Sequence, residues 1–157
     1  MDFDPACYGP TIAEVLALDG SGDRRMPLAG GTCCSADAAR LLREGYCADD
    51  LRGARAPEAA LAGLWLYFSC MDEAHEVAQA VKSVEGAFWH AILHRQEPDA
   101  WNAKYWFRQV GRHPVFATLR EAAADISARA GGAIVVPNPW DPHWFVDLCD
   151  GVRARPD

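Results

Sequence analysis

Apolar residues recur along most of this chain at the three-to-four-residue spacing of amphipathic α-helices. The signal is strongest after Pro57, where Ala59 to Ser69 is apolar on nearly every side and predicts a central buried helix. Before Pro57, glycines and prolines divide the chain into shorter pieces that hold two short predicted helices. The pattern predicts an all-α fold, an irregular or orthogonal bundle of about six to seven helices.

Capping residues and prolines predict where several of these helices begin and end. Asp72 to Val81 either continues the central helix or restarts after a bend, and the next helix runs from Ser83 to Arg95. Pro98 fits the first position of a helix that reaches Val110, and Asp141 is the predicted N-cap of the last helix.

A further helix is predicted to begin at His113 and Pro114. Its predicted buried face contains Val115, Phe116, Leu119, Ala122, Ala123 and Ile126. Beyond it, Ala133 to Val136 is the one strand-like run, too short to carry a sheet. Parallel-sheet architectures are therefore excluded by the pattern.

Length and composition indicate one domain. The chain has 157 residues, of which 50% are hydrophobic and 24% are charged, which is ordinary globular composition. We interpret residues 57–157 as the helical body and residues 1–56 as a loop-rich cover that packs over it. The oligomeric state is left open.

The charge balance narrows the range of partners. The formal net charge is −7 and no run of five or six like charges occurs, which argues against nucleic acid and anionic membranes as partners. The acidic N-terminus lacks the features of a signal peptide, so a cytoplasmic location is predicted. In that compartment the six cysteines are predicted to be free thiols: Cys7, Cys33, Cys34, Cys47, Cys70 and Cys149.

The helix predicted between Ser83 and Arg95 carries the candidate chemistry. At about 100° per residue, His90 and His94 fall on one narrow stripe of that helix, and Glu97 joins it if the helix extends that far. Gly86, one turn before His90, leaves room for a ligand or another helix to approach. The remaining middle positions are apolar, so the helix is predicted to be mostly buried with a polar stripe that lines a cavity or a narrow opening.

Three interpretations of the two histidines stay open. Their i, i+4 spacing suits two imidazoles on one divalent metal ion, with His75 or Glu97 as a third ligand. Alternatively, a histidine acts as an acid or base without a metal, with Glu97 beside it. In the structural interpretation, the ring nitrogens bond to Glu97, Ser83 or backbone carbonyls and fix the helix packing.

The following helix supplies candidate ligand-binding residues. Asn102 and Tyr105 lie on one face with Trp106, and Lys104 and Arg108 lie on the neighbouring face. If the first face meets the histidine stripe, it would form a pocket for a small polar or anionic molecule. The competing interpretation places the aromatic residues in the core and the two cations in water.

Arg95 lies on the opposite side of its helix from the histidine stripe. If that side is buried, its charge requires a partner, and the sequence offers four nearby acids for that role. They are Asp72, Glu73, Glu76 and Asp99.

The segment FWHAILHRQEPD, residues 88–99, followed by NAKYWFRQVGRHP, residues 102–114, resembles a family of small uncharacterised bacterial proteins. The resemblance extends at most from Leu61 to Phe116. It implies no particular activity, cofactor or catalytic residue. The leading hypothesis from the sequence is therefore a small-ligand-binding helical protein, or an enzyme, that uses His90 and His94. The alternative is a non-catalytic protein-interaction module in which those histidines are structural.

Overall fold

The computed structural model describes residue 4, residues 9–44, residue 51 and residues 54–155. Two of the six cysteines, Cys7 and Cys47, lie outside these ranges. The described residues form eight α-helices and one short 3₁₀ turn, Gly20–Gly22, without any strand. The helices are α1 (Pro10–Ala17), α2 (Ala36–Glu44), α3 (Pro57–Tyr67), α4 (Met71–Ala80), α5 (Val84–Gln96), α6 (Ala100–Val110), α7 (Val115–Arg129) and α8 (Pro142–Arg153).

The all-α prediction is confirmed, whereas the predicted count of six to seven helices is slightly low. One reason is the break between α3 and α4, which the sequence left undecided. Ser69 adopts a left-handed backbone conformation there, with φ of 59°. A helix cannot continue through that conformation, so the chain turns and α4 begins at Met71.

Short polar side chains cap α2, α5, α6 and α8; at α2, the Ser35 hydroxyl accepts a hydrogen bond from the Ala38 amide at 3.1 Å. The Ser83 hydroxyl accepts a hydrogen bond from the Gly86 amide at the start of α5, and the Asp141 carboxylate accepts one from His143 at the start of α8. Pro98 is not the first residue of α6 as predicted. Asp99 caps that helix instead, accepting from the Asn102 amide at 3.1 Å, so α6 begins at Ala100.

Two groups of buried side chains form the core. The first joins α1, α2, α3 and the start of α4, with Trp65 and Phe68 among its largest members. The second joins α5, α6 and α8 through Ala91, Phe107 and Val146. Helix α5 contributes to both groups, so its two sides face different parts of the molecule.

The α4–α5 connection is a tight hairpin that depends on Gly86. A Cβ atom at this position would lie 2.1 Å from the Val81 carbonyl oxygen. The space beside Gly86 is therefore filled by the backbone that links the two helices, and the predicted approach of a ligand there is wrong. The close packing sets α4 directly beside the histidine stripe of α5.

Two predictions for the C-terminal half need correction. Residues 133–136 are not a strand, and they form an irregular segment between α7 and α8. The predicted apolar face of α7 is only partly buried, since Ile126 is 59% exposed and Ser127 is the only fully buried residue of that helix. Phe116 packs against Phe88 of α5, whereas most of the apolar face lines a cavity.

The prediction of free thiols is wrong for two cysteines. Cys33 and Cys70 form a disulfide across 37 positions of sequence. The loop before α2 reaches Cys70 because the Cys34 amide donates a hydrogen bond to the Phe68 carbonyl at 2.9 Å. Cys34 and Cys149 remain free thiols. The pairing depends on where the chain folds back, which cysteine spacing does not encode.

None of the helices in the described ranges is both long enough and apolar enough to cross a lipid bilayer.

Candidate metal centre

Three histidines from two neighbouring helices meet in one cluster. His75 comes from α4, and His90 and His94 lie one turn apart on α5. Each offers one ring nitrogen, and the three nitrogens lie within 4.8 Å of one another. Among the described residues, no other three His, Cys, Asp or Glu side chains converge in this way.

The cluster lies at the edge of the core. His90 and His94 are 2% and 5% exposed, whereas His75 is half-buried and leaves the cluster reachable from one side. The rings of His90 and His94 stack with centroids 4.7 Å apart, and the His75 ring meets each of them edge-on.

His90 has no hydrogen-bond partner among the described residues, at either ring nitrogen. Burial, together with the neighbouring His94 and His75, lowers its pKa from 6.5 to about 4. The ring is therefore neutral at pH 7, with a lone pair available on one nitrogen. A buried polar atom without a partner costs free energy, which points to a role beyond packing.

His94 is held by a carboxylate. Its Nδ1 lies 2.8 Å from Oε2 of Glu97, one turn further along the chain. A carboxylate on one ring nitrogen fixes the ring orientation and leaves the other nitrogen, Nε2, to face the cluster. The structural interpretation of the histidines therefore accounts for His94 but not for His90.

Trp106 of α6 closes one side of the cluster. Its ring stacks on His90 with centroids 4.1 Å apart and planes 20° apart. Tyr105 contacts the other side of that indole in an edge-on arrangement. The predicted meeting of this α6 face with the histidine stripe thus occurs through Trp106, an aromatic wall rather than a polar one.

The predicted ligand-binding residues of α6 make contacts of their own outside the histidine cluster. Lys104 forms an ion pair with Asp147 of α8. Arg108 is exposed and covers the Tyr105 ring at 5.8 Å, and Tyr105 itself is largely in solvent. Asn102 takes part in the N-terminal turn of α6 through its backbone. Within the described ranges, no hydrogen bond, ion pair or ring contact joins Asn102, Lys104 or Arg108 to a histidine of the cluster.

The geometry fits a small transition-metal ion. Ligand nitrogens around a tetrahedral zinc ion sit about 2.0–2.1 Å from the metal, which places them about 3.4 Å apart. The nitrogens of this cluster, within 4.8 Å of one another, would approach that arrangement after ring rotations that move each atom by on the order of 1 Å. Neutral imidazoles, one of them oriented by a carboxylate, are the usual donors of such a site.

Comparison of the chain with protein families, with curated proteins and with solved structures found no match. The assignment of a function therefore rests on the geometry of the side chains.

Proposed function

We propose that the protein binds one divalent transition-metal ion, zinc in the first instance, through His75, His90 and His94. The observation that carries the proposal is the convergence of three imidazole nitrogens within 4.8 Å, one of which belongs to His90, a buried histidine without a hydrogen-bond partner among the described residues. A metal ion would satisfy that histidine and remove the cost of its burial.

Three protein ligands define the kind of site. A structural zinc site has four protein ligands, whereas a catalytic one has three and leaves the fourth position to water or substrate. Zinc lowers the pKa of its bound water to about 7, which makes hydroxide available as a nucleophile at neutral pH. The proposed chemistry is therefore metal-assisted hydrolysis, with entry from the half-buried side at His75.

Glu97 has a positioning role in this proposal. Its carboxylate already bonds to His94, so it orients a ligand rather than coordinating the metal itself. The sequence left His75 and Glu97 as alternative third ligands, and this proposal chooses His75 because its ring nitrogen lies within 4.8 Å of those of His90 and His94.

The test is zinc titration of the purified, untagged protein against a chromophoric chelator, with elemental analysis of the complex. One zinc ion per chain is expected, and it should be lost in each of His75→Ala, His90→Ala and His94→Ala. His143→Ala, which removes a histidine outside the cluster, is the matched control and should keep full binding. Circular dichroism of each metal-free variant establishes that it still folds.

A cobalt-loaded sample adds a spectroscopic readout, because tetrahedral and octahedral Co²⁺ differ in their visible absorption. A tetrahedral spectrum that vanishes in the three cluster variants supports the proposed coordination. The proposal fails if the native protein takes up no stoichiometric metal, or if any cluster variant binds zinc as tightly as the native protein does.

A second candidate function rests on an exposed aromatic pair on α6. Trp101 is 73% exposed and stacks on Tyr105 at 6.2 Å, which is the kind of surface used for docking a protein partner. One variant distinguishes the two candidate functions. Trp101→Ala should leave zinc binding unchanged, and it should weaken capture of any partner that recognises this surface.

A further inference from the structure

A large apolar cavity lies on the side of α5 opposite the histidine cluster. Its volume is about 620 Å³, and its wall is formed by α5, α7, α8 and the segment between α7 and α8. That volume falls within the range of about 300–1,000 Å³ that is typical of small-molecule sites.

The wall is apolar nearly throughout. Aromatic rings contribute much of it, including Phe88, Trp89, Trp140 and Phe145. Of the described residues in the wall, Ser127 alone carries a hydroxyl, and that hydroxyl already donates a hydrogen bond to the Ile134 carbonyl at 2.6 Å. Such a surface would take a hydrocarbon and reject a polar ligand.

Apolar side chains of helix α7 form one wall of the cavity. The apolar residues of this helix recur at helical spacing; Phe116 packs against Phe88 of α5, whereas Leu119, Ala123 and Ile126 line the cavity. A helix face of this kind normally gains its stability by burying against another apolar surface. Ile126 and Ile134 stand partly exposed at the cavity, which marks the side that opens to solvent.

Among the described residues, Arg95 is the only charged one that lines the cavity. The four acids that the sequence offered as its partners do not pair with it, and the described residues contain no ion pair to its guanidinium. The group instead lies 5.6 Å above the Phe145 ring and 3.8 Å from the Cys149 sulfur. A half-buried cation without an acidic partner, beside an apolar chamber, is complementary to an anionic headgroup.

We infer that the cavity binds a fatty acid, with its acyl chain among the apolar side chains and its carboxylate paired to Arg95. The lining of the cavity indicates both parts of the ligand. Its apolar rings and aliphatic groups favour a hydrocarbon chain, and the Arg95 guanidinium favours a single negative charge. The inference is independent of the metal centre, which lies on the other side of α5.

The experiment titrates the full-length protein with octanoate, decanoate and dodecanoate below their micelle concentrations, using isothermal calorimetry. One site per chain is expected, and the affinity should rise about fourfold for each added methylene until the cavity is filled. At equal chain length, 1-decanol should bind at least tenfold more weakly than decanoate, because it lacks the charge that Arg95 recognises.

Location is tested by fluorescence. Trp89, Trp140 and Trp144 line the cavity, so a fatty acid carrying bromine at its terminal carbon should quench tryptophan emission on binding. Ala123→Trp places a large ring in the chamber and should abolish the saturable binding of decanoate. The matched control Arg129→Gln removes an exposed arginine from the same helix and should bind decanoate as the native protein does.

Arg95→Gln gives the decisive comparison. It should weaken decanoate binding tenfold or more and leave 1-decanol binding unchanged, which also shows that the cavity is intact. The inference is overturned if acid and alcohol bind alike to the native protein, if Arg95→Gln does not alter decanoate binding, or if Ala123→Trp still binds. It is also overturned if binding does not saturate, or if sedimentation shows that a second copy of the chain covers the cavity and decanoate does not bind.

Discussion

Replacing His90 with phenylalanine should make the metal-free protein much less sensitive to acid. His90 is 2% exposed and its ring stacks on Trp106, so a phenylalanine of similar shape retains the aromatic contact. The substitution removes the titrating group and the two ring nitrogens that lack partners. The perturbation thus separates the proton chemistry of this position from its packing.

The size of the effect follows from the pKa of His90. Its value falls from 6.5 in the unfolded chain to about 4 in the folded protein. Between those two pH values the unfolded state binds a proton that the folded state does not, so stability falls as the pH falls. At about 1.36 kcal/mol for each pH unit, the free energy of unfolding should drop by about 3 kcal/mol between pH 7 and pH 4. That is a large share of the roughly 5–15 kcal/mol that stabilises a typical domain.

The assay is urea unfolding of native protein and His90→Phe at a series of pH values, with a chelator present throughout. Carboxylates also titrate in this range, and burial and the Arg55 charge lower the pKa of His113, which adds a loss of the same sign. Both contributions are common to the two proteins, so they cancel in the difference between them.

The difference in unfolding free energy should change by about 3 kcal/mol in favour of His90→Phe as the pH falls from 7 to 4. Parallel curves for the two proteins would refute the reasoning, since they would mean that His90 takes up a proton equally well in both states. A native protein that gains stability in acid relative to the variant would reverse the sign and refute it as well.

Three further predictions concern positions around the two sites. Glu97→Gln should weaken zinc binding about 10-fold to 100-fold by releasing the orientation of His94, measured with the same chelator, and an unchanged affinity would contradict the positioning role. Gly86→Ala should lower the free energy of unfolding in urea by about 1–3 kcal/mol, because the new Cβ would clash with the Val81 carbonyl oxygen. It should also weaken zinc binding, because the α4–α5 hairpin would shift. An unchanged free energy of unfolding would show that the backbone accommodates the Cβ without cost. Asp141→Ala should cost about 1 kcal/mol by removing the cap of α8, and Asp141→Asn should restore most of it.

Much of the secondary structure could be predicted from the sequence because helical periodicity and capping are local properties. The spacing of apolar residues predicts α3 to α8, and Ser83 and Asp141 cap their helices as expected. The predicted start of α6 at Pro98 was wrong because proline suits several positions near a helix start. Asp99 caps the helix instead.

The candidate metal site could be predicted in part. His90 and His94 share a stripe because four residues make about one turn of helix, which the sequence alone shows. Their convergence with His75 depends on the α4–α5 hairpin, where Gly86 lets the backbone approach closely. Periodicity also does not reveal which contacts the residues of α6 make: Trp106 stacks on His90, whereas Lys104 pairs with Asp147 and Arg108 lies over the Tyr105 ring.

The apolar cavity was not predictable from the pattern. The apolar residues of α7 indicate a buried face, and sequence periodicity does not distinguish a face that packs from one that lines a chamber. Likewise, Arg95 has several acids nearby in sequence and pairs with none of them among the described residues, because it points into the cavity between α5 and α8.

By itself the sequence determined that the chain is helical, where most helices begin and end, and that two histidines share one face, since these depend on residues a few positions apart. Only the tertiary structure decided that His75 completes the cluster, that Cys33 pairs with Cys70, and that Arg95 faces an apolar chamber. These features join residues from different helices and loops, so they depend on the angles and distances at which the helices pack, which local patterns do not encode.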